Sequence, residues 1–194
     1  MLAATAESWL DNYIWPQIQS LMLNDAYFKL VKHAFEINQK YIDPIANLVV
    51  NGYVTTQMVA IRRLCDDRRD AISLRRLVLD SSLSDKQRLL QKLDACDEVC
   101  ARTSDHVVHS GNPVRRHSLT DWNLTESDLT AAQKAICELA VALDRARTKP
   151  KGYVKIIPVV QTLDMREFGL SAADTKKLWD FWHAHNDAVN AWIR

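Results

Sequence analysis

The sequence predicts an all-α protein, an antiparallel helical bundle of about six or seven helices. Three observations lead there. Apolar residues recur three and four apart through most of the chain, the spacing that lines one face of a helix. Only 4 Gly and 5 Pro occur in 194 residues, which leaves few places for the many turns of a β-protein. The one strongly β-branched run, YVKIIPVVQTL from Tyr153, is interrupted by Pro158 and has no second strand to pair with. It is expected to pack on the bundle as extended or short helical chain.

From Thr5 to Leu23 the sequence is apolar and aromatic, with Trp9, Leu10, Tyr13, Ile14, Trp15, Ile18, Leu21 and Met22. Pro16 lacks an N–H and clashes with the preceding turn, so two short helices or one kinked helix are expected. Asn24 and Asp25 suit the cap of a following helix. In that helix Tyr27, Leu30, Ala34, Ile37 and Tyr41 share a face. Asp43-Pro44 ends it and opens another, since Pro fits a first helical turn. Asn51-Gly52 reads as a break, after which Val54, Met58, Ile61 and Cys65 line one face.

The run Arg62 to Arg76, RRLCDDRRDAISLRR, holds six arginines and three aspartates. Pairs such as Arg62–Asp66 and Arg63–Asp67 stand four apart, where opposite charges stabilise a helix by about 0.2–0.5 kcal/mol each. The run is therefore either a self-paired helix surface or an arginine cluster for RNA phosphates.

Ser84-Asp-Lys-Gln87 matches a capping box and opens a helix expected to reach about Ser110, where Gly111-Asn112-Pro113 stops it. A loop with Arg115, Arg116 and His117 follows, to about Leu124. Thr125 to Asp128, or Ser127, caps the next helix, which carries Leu129, Ile136, Leu139, Ala140 and Leu143 to about Arg147. Thr148 to Gly152 breaks it. Ser171 to Asp174 caps a last helix striped by Leu178, Trp182, His185, Val189 and Trp192. Trp9, Trp15, Trp182 and Trp192 are expected to pack the first and last helices together. His185, beside Trp182, is expected to be a core histidine bonded to a neighbouring carbonyl. A single domain over 1–194 follows, with a core at about 25–147 and 148–194 as a helical extension packed on it.

Composition narrows the function. The formal net charge is +1, which predicts no strong nonspecific pull toward nucleic acid or anionic membrane. No stretch reaches the roughly 18 apolar residues needed to span a bilayer. The first fifteen residues lack a basic n-region, so a cytoplasmic protein is expected. Cys65, Cys96, Cys100 and Cys137 form no CxxC pair and read as buried small hydrophobes. With no Gly-rich phosphate loop, nucleophile elbow or dinucleotide fingerprint, no cofactor is expected.

The helix expected at 84–110 carries the candidate chemistry. Leu89, Leu93, Cys96, Cys100, Thr103 and Val107 form a core seam spanning roughly 80°. Arg102, His106 and His109 cluster some 120–140° away, on a flank. That flank has three readings. It is a polar surface without a role; or His106 and His109 share a metal with Asp105; or it performs metal-free phosphodiester cleavage. In the last reading a histidine transfers protons near neutral pH and an arginine holds the anionic phosphorane. One helix supplies too few groups, but two copies related by a two-fold axis would supply enough.

The stretch Arg102-Thr-Ser-Asp-His-Val-Val-His109 resembles the Arg, four to six residues, His motif of the HEPN superfamily of helical-bundle ribonucleases. IRRLCDDRRDAISLRRL followed by DHVVHSGNP is similar to the branch associated with bacterial abortive infection. The likeness covers about residues 25–145 and is carried by these two stretches. It departs from the family at Thr103, where a polar Asn, Asp or His is usual. The resemblance implies a homodimer across the motif helix, His109 as the proton-transfer residue and Arg102 as the phosphate stabiliser, with His106 able to substitute. It also implies an RNA substrate, with Arg62, Arg69, Arg115 and Arg116 as candidate contacts, and an antitoxin protein as a possible partner. No metal is required. The family includes members that have lost catalysis, so a non-catalytic dimerisation or binding module is the alternative.

Overall fold

The computed structural model describes residues 4–38, 43–103, 124–153, 155–156 and 170–194. Every regular element among them is helical. α1 (Ala4–Trp9) runs through a π-helical turn (Leu10–Ile14) into α2 (Trp15–Asn38). Then come α3 (Asp43–Cys65), α4 (Leu74–Asp80), α5 (Lys86–Gln91), α6 (Asp94–Thr103), α7 (Glu126–Arg145) and α8 (Ala172–Asn190), which ends in a 3₁₀ turn (Ala191–Ile193). Counting α1 and α2 as one continuous rod gives seven helices among the described residues.

Cross-helix contacts establish the directions. Leu21 and Asp25 of α2 meet Gln57 and Tyr53 of α3, so residue numbers rise on one helix as they fall on the other. Asp25 and Lys32 likewise meet Gln133 and Glu126 of α7, and Asp25 and Tyr27 meet His185 and Trp182 of α8. α2 is therefore antiparallel to α3, α7 and α8. α6 runs antiparallel to α3 through Thr103–Met58 and Cys100–Cys65. One hydrophobic cluster joins all of these helices, including Leu178, Trp182 and Val189 of α8.

The N-terminal rod shows how Pro16 is accommodated. In the π turn each bond spans five residues, and the Trp15 N–H donates to the Leu10 carbonyl. Pro16 then falls in the first turn of α2, where its missing N–H costs little. Trp15 stacks on Tyr153 with centroids 3.7 Å apart. Of the four terminal tryptophans expected to join the first and last helices, Trp182 is fully buried against Tyr27 of α2.

Four expectations need correction. Asn24 and Asp25 cap nothing: α2 runs through them, because Asp25 lies on the buried face with Leu21, Met22 and Ala26. Asn51-Gly52 is no break either. Gly52 costs about 1 kcal/mol inside a helix, and burial of Met58 and Ile61 further along α3 outweighs that. The Arg62–Asp66 and Arg63–Asp67 pairs do not form, since α3 ends at Cys65. Asp66 instead binds Arg68, while Ser73 caps α4.

The fourth correction concerns the helix expected at 84–110. It is two helices, α5 and α6, joined at Lys92-Leu93 by three-residue bonds: Leu93 N–H to Leu90 carbonyl and Cys96 N–H to Leu93 carbonyl, both 2.8 Å. Leu89, Leu93 and Cys96 stay buried on either side of this tightened turn. Ser84 makes no capping box. α5 starts after Asp85, whose carboxylate pairs with Arg88. The stretch 104–110 lies outside the described residues.

The expected caps of α7 and α8 are present. Thr125 and Asp128 bond reciprocally as a capping box, and the Ser171 hydroxyl accepts the Asp174 N–H at 3.1 Å. Thr125→Ala should lower stability by about 1 kcal/mol. Urea unfolding measures this, and an unchanged midpoint would mean that the cap contributes nothing.

Candidate functional site

α6 is built as the sequence suggests. Its inner face is buried at Cys96, Val99 and Thr103, and the Thr103 hydroxyl reaches the carbonyls of Val99 (2.6 Å) and Met58 (3.2 Å). The residue after the motif arginine thus fastens α6 to α3. Arg102 lies on the outer flank with its side chain 35% exposed, and its Nε donates to Glu98 Oε1, one turn earlier, at 2.7 Å. His106, His109, Arg115 and Arg116 lie outside the described residues, as does Asp105 of the metal reading. Among the described residues no three His, Cys, Asp or Glu side chains converge as metal ligands.

The arginine run divides. Arg69 is exposed in the turn after α3. Arg62 is half-buried and lines a pocket of about 290 Å³ with Arg75, Asp66, Asp97, Cys65 and Cys100. Its buried Nη1 has no hydrogen-bond partner among the described residues, whereas Arg75 binds the Cys65 carbonyl at 3.2 Å and Asp97 at 2.9 Å. Arg102 is not in this wall. It stands two residues past Cys100, roughly 160° around α6. The predicted phosphate contacts Arg62 and Arg102 therefore belong to different surfaces.

Sequence reasoning missed a buried polar cluster where α2, α3, α7 and α8 meet. Asp25 is completely inaccessible. Its carboxylate accepts from the Tyr53 hydroxyl and from Gln133 Nε2 at 3.2 Å, lies 2.9 Å from Lys29 Nζ, and lies 3.5 Å from His185 Nε2. Gln133 also donates to Gln57 Oε1 at 3.0 Å, and Gln57 donates to the Leu21 carbonyl at 3.1 Å. His185 therefore faces a carboxylate, not the carbonyl expected of it. Burial pushes the Asp25 carboxyl up, but His185, the Lys29 charge and the Tyr53 hydroxyl outweigh it and hold it at about 2. Burial and the Asp25 charge raise the Tyr53 phenol far above its ordinary value. A carboxylate so enclosed reaches no substrate, so the cluster positions helices. The sequence signal was available: Asp25 is four residues from both Leu21 and Lys29, on the apolar stripe of α2.

A second cluster ties the π turn to the end of α7. Arg147 grips Asp11 with two bonds of 2.8 and 3.1 Å and donates to the Tyr153 hydroxyl at 3.1 Å. Its Nε lies 3.1 Å from Asp144. Burial raises the Asp11 carboxyl, but Arg147, Lys151 and Tyr153 together hold it well below the carboxylate range.

Among the described residues no helix is long and apolar enough to cross a membrane. The chain matches no known family model, no curated protein and no solved structure.

Proposed function

We propose that this chain is a HEPN-like, metal-independent endoribonuclease that acts as a cytoplasmic homodimer, in phage defence or as the toxin of a toxin–antitoxin pair. The observation behind this reading is the placement of Arg102. Its guanidinium is on a half-exposed flank of α6, while the inner face of the same helix is locked into the core by Cys96, Val99 and Thr103. A rigid helix presenting a cation outward is what phosphate recognition needs.

In this mechanism the RNA 2′-OH attacks the adjacent phosphate. His109, with His106 as a possible substitute, handles protons at the attacking and leaving oxygens. Arg102 supports the charge that builds on the phosphorane. A phosphate must first draw Arg102 from Glu98. That exchange is cheap, because an exposed pair of this kind contributes only about 0.3–0.5 kcal/mol. Dimerisation across the motif helix brings a second copy of the same groups to the cleft. Arg62, Arg69, Arg115 and Arg116 would meet the RNA backbone outside the reacting centre.

The Arg102–Glu98 pair also favours a second reading, a non-catalytic dimerisation or binding module. An arginine neutralised by its own helix is an ordinary surface feature. Cleavage of diverse RNAs in chelator, by the wild type and by His109→Ala at matched oligomeric state, separates the two. Cleavage that survives chelation and disappears in the variant supports catalysis. No cleavage by either protein, in the absence of any inhibitory partner, favours the binding module.

A further inference from the structure

Three of the four cysteines meet where α3 packs on α6. Cys65 ends α3, and Cys96 and Cys100 lie one turn apart on α6. All are thiols. Cys96 is completely buried, Cys65 nearly so, and Cys100 is half-buried. The Cys96 thiol points to α7, donating to the Ala132 carbonyl at 3.6 Å. Cys65 lies beside both Cys100 and Cys96, and it is Cys65 and Cys100 that line the same open pocket with Arg62 and Arg75.

We propose that this pocket is a thiol oxidation site, in which Cys100 reacts with a hydroperoxide and Cys65 resolves the product into a disulfide joining α3 to α6. In the first step the Cys100 sulfur, as thiolate, attacks one peroxide oxygen and the O–O bond breaks. The departing oxygen takes a proton and leaves as water or an alcohol. Cys100 has lost two electrons and is a sulfenic acid. In the second step the Cys65 sulfur attacks the Cys100 sulfur, the S–O bond breaks and the S–S bond forms. Hydroxide leaves as water with the Cys65 proton. Two thiols and one hydroperoxide give one disulfide, one alcohol or water, and one water.

The roles follow from position. Cys100 is the more accessible thiol, and the hydrogen bond from Cys65 favours its thiolate. Burial and Asp97 oppose that, while Arg75 and Arg62 add to it, and the Cys100 thiol is held below its ordinary value. Cys100, Cys96 and burial together push Cys65 up, so Cys65 keeps the proton. Cys137 is an internal control. It lies within α7, and burial pushes its thiol up to about 12.

The test is stoichiometric hydrogen peroxide on the reduced full chain, followed by alkylation and peptide mass mapping. A Cys65–Cys100 crosslink is expected, with Cys137 unmodified. In Cys65→Ala, checked for folding by circular dichroism, a sulfenic-acid trap should label Cys100. The wild-type map needs no variant and decides the matter even if that variant misfolds. A Cys65–Cys96 crosslink, equal modification of all four thiols, oxidised Cys100 without a crosslink, or no reaction would each overturn the proposal.

Discussion

Asp25→Ala is expected to destabilise the protein by about 3–5 kcal/mol at neutral pH, as removal of one member of a buried charged cluster does. The loss is large because four groups depend on that carboxylate. Tyr53 and Gln133 lose an acceptor, Lys29 loses its countercharge, and His185 loses the carboxylate it faces. Equilibrium urea unfolding measures it, and a change below about 0.5 kcal/mol, the size of a surface substitution, would contradict the role given to the cluster.

The same residue predicts an acid dependence. Its carboxyl sits at about 2 in the folded protein against an ordinary 3.8, so the unfolded chain takes up the proton more readily. Its contribution is therefore complete above pH 3.8 and is shed as pH falls toward 2. The difference in unfolding free energy between wild type and Asp25→Ala should shrink by about 2 kcal/mol across that window. A difference that stays constant with pH would mean that Asp25 is not ionised in the fold.

Arg147→Ala is expected to cost about 3–5 kcal/mol as well, for a related reason. The guanidinium, 2% exposed, lies between Asp11 of the π turn and Asp144 of α7, the latter also 2% exposed. Without it Asp144 keeps, among the described residues, the N–H groups of Lys151 and Gly152, which close the turn where Gly152 adopts φ 65°. The π turn would lose its ion pair with the end of α7. A double-mutant cycle with Asp11→Ala should give a coupling above about 1 kcal/mol. Additive effects would show that the contact carries no coupling energy.

These clusters show where sequence reading succeeds and where it fails. Signals confined to a few residues were legible: Thr125 with Asp128, Ser171 with Asp174, the break at Thr148–Gly152, and the seam through Leu89, Leu93, Cys96 and Thr103. Asp25 was misread because its local preference is to cap, while its partners Tyr53, Gln133 and His185 lie far along the chain. The break at Lys92-Leu93 was illegible because the apolar spacing of Leu89, Leu93 and Cys96 runs through it unchanged. The π turn solves the Pro16 problem in a way that periodicity does not encode. For the candidate site, the outward placement of Arg102 was legible from its angle on the helix. The pocket shared by Arg62, Arg75, Cys65 and Cys100 was not, because it exists only where α3 packs on α6.

The central claim, metal-free RNA cleavage at the Arg102 flank, is tested most directly by the ends of the RNA products. Attack by the 2′-OH leaves a 2′,3′-cyclic phosphate. The wild type in excess chelator should yield RNA fragments with that end, and both Arg102→Ala and His109→Ala should lose the reaction while staying folded. Fragments that form only with added divalent metal, or equally well with both variants, would contradict it.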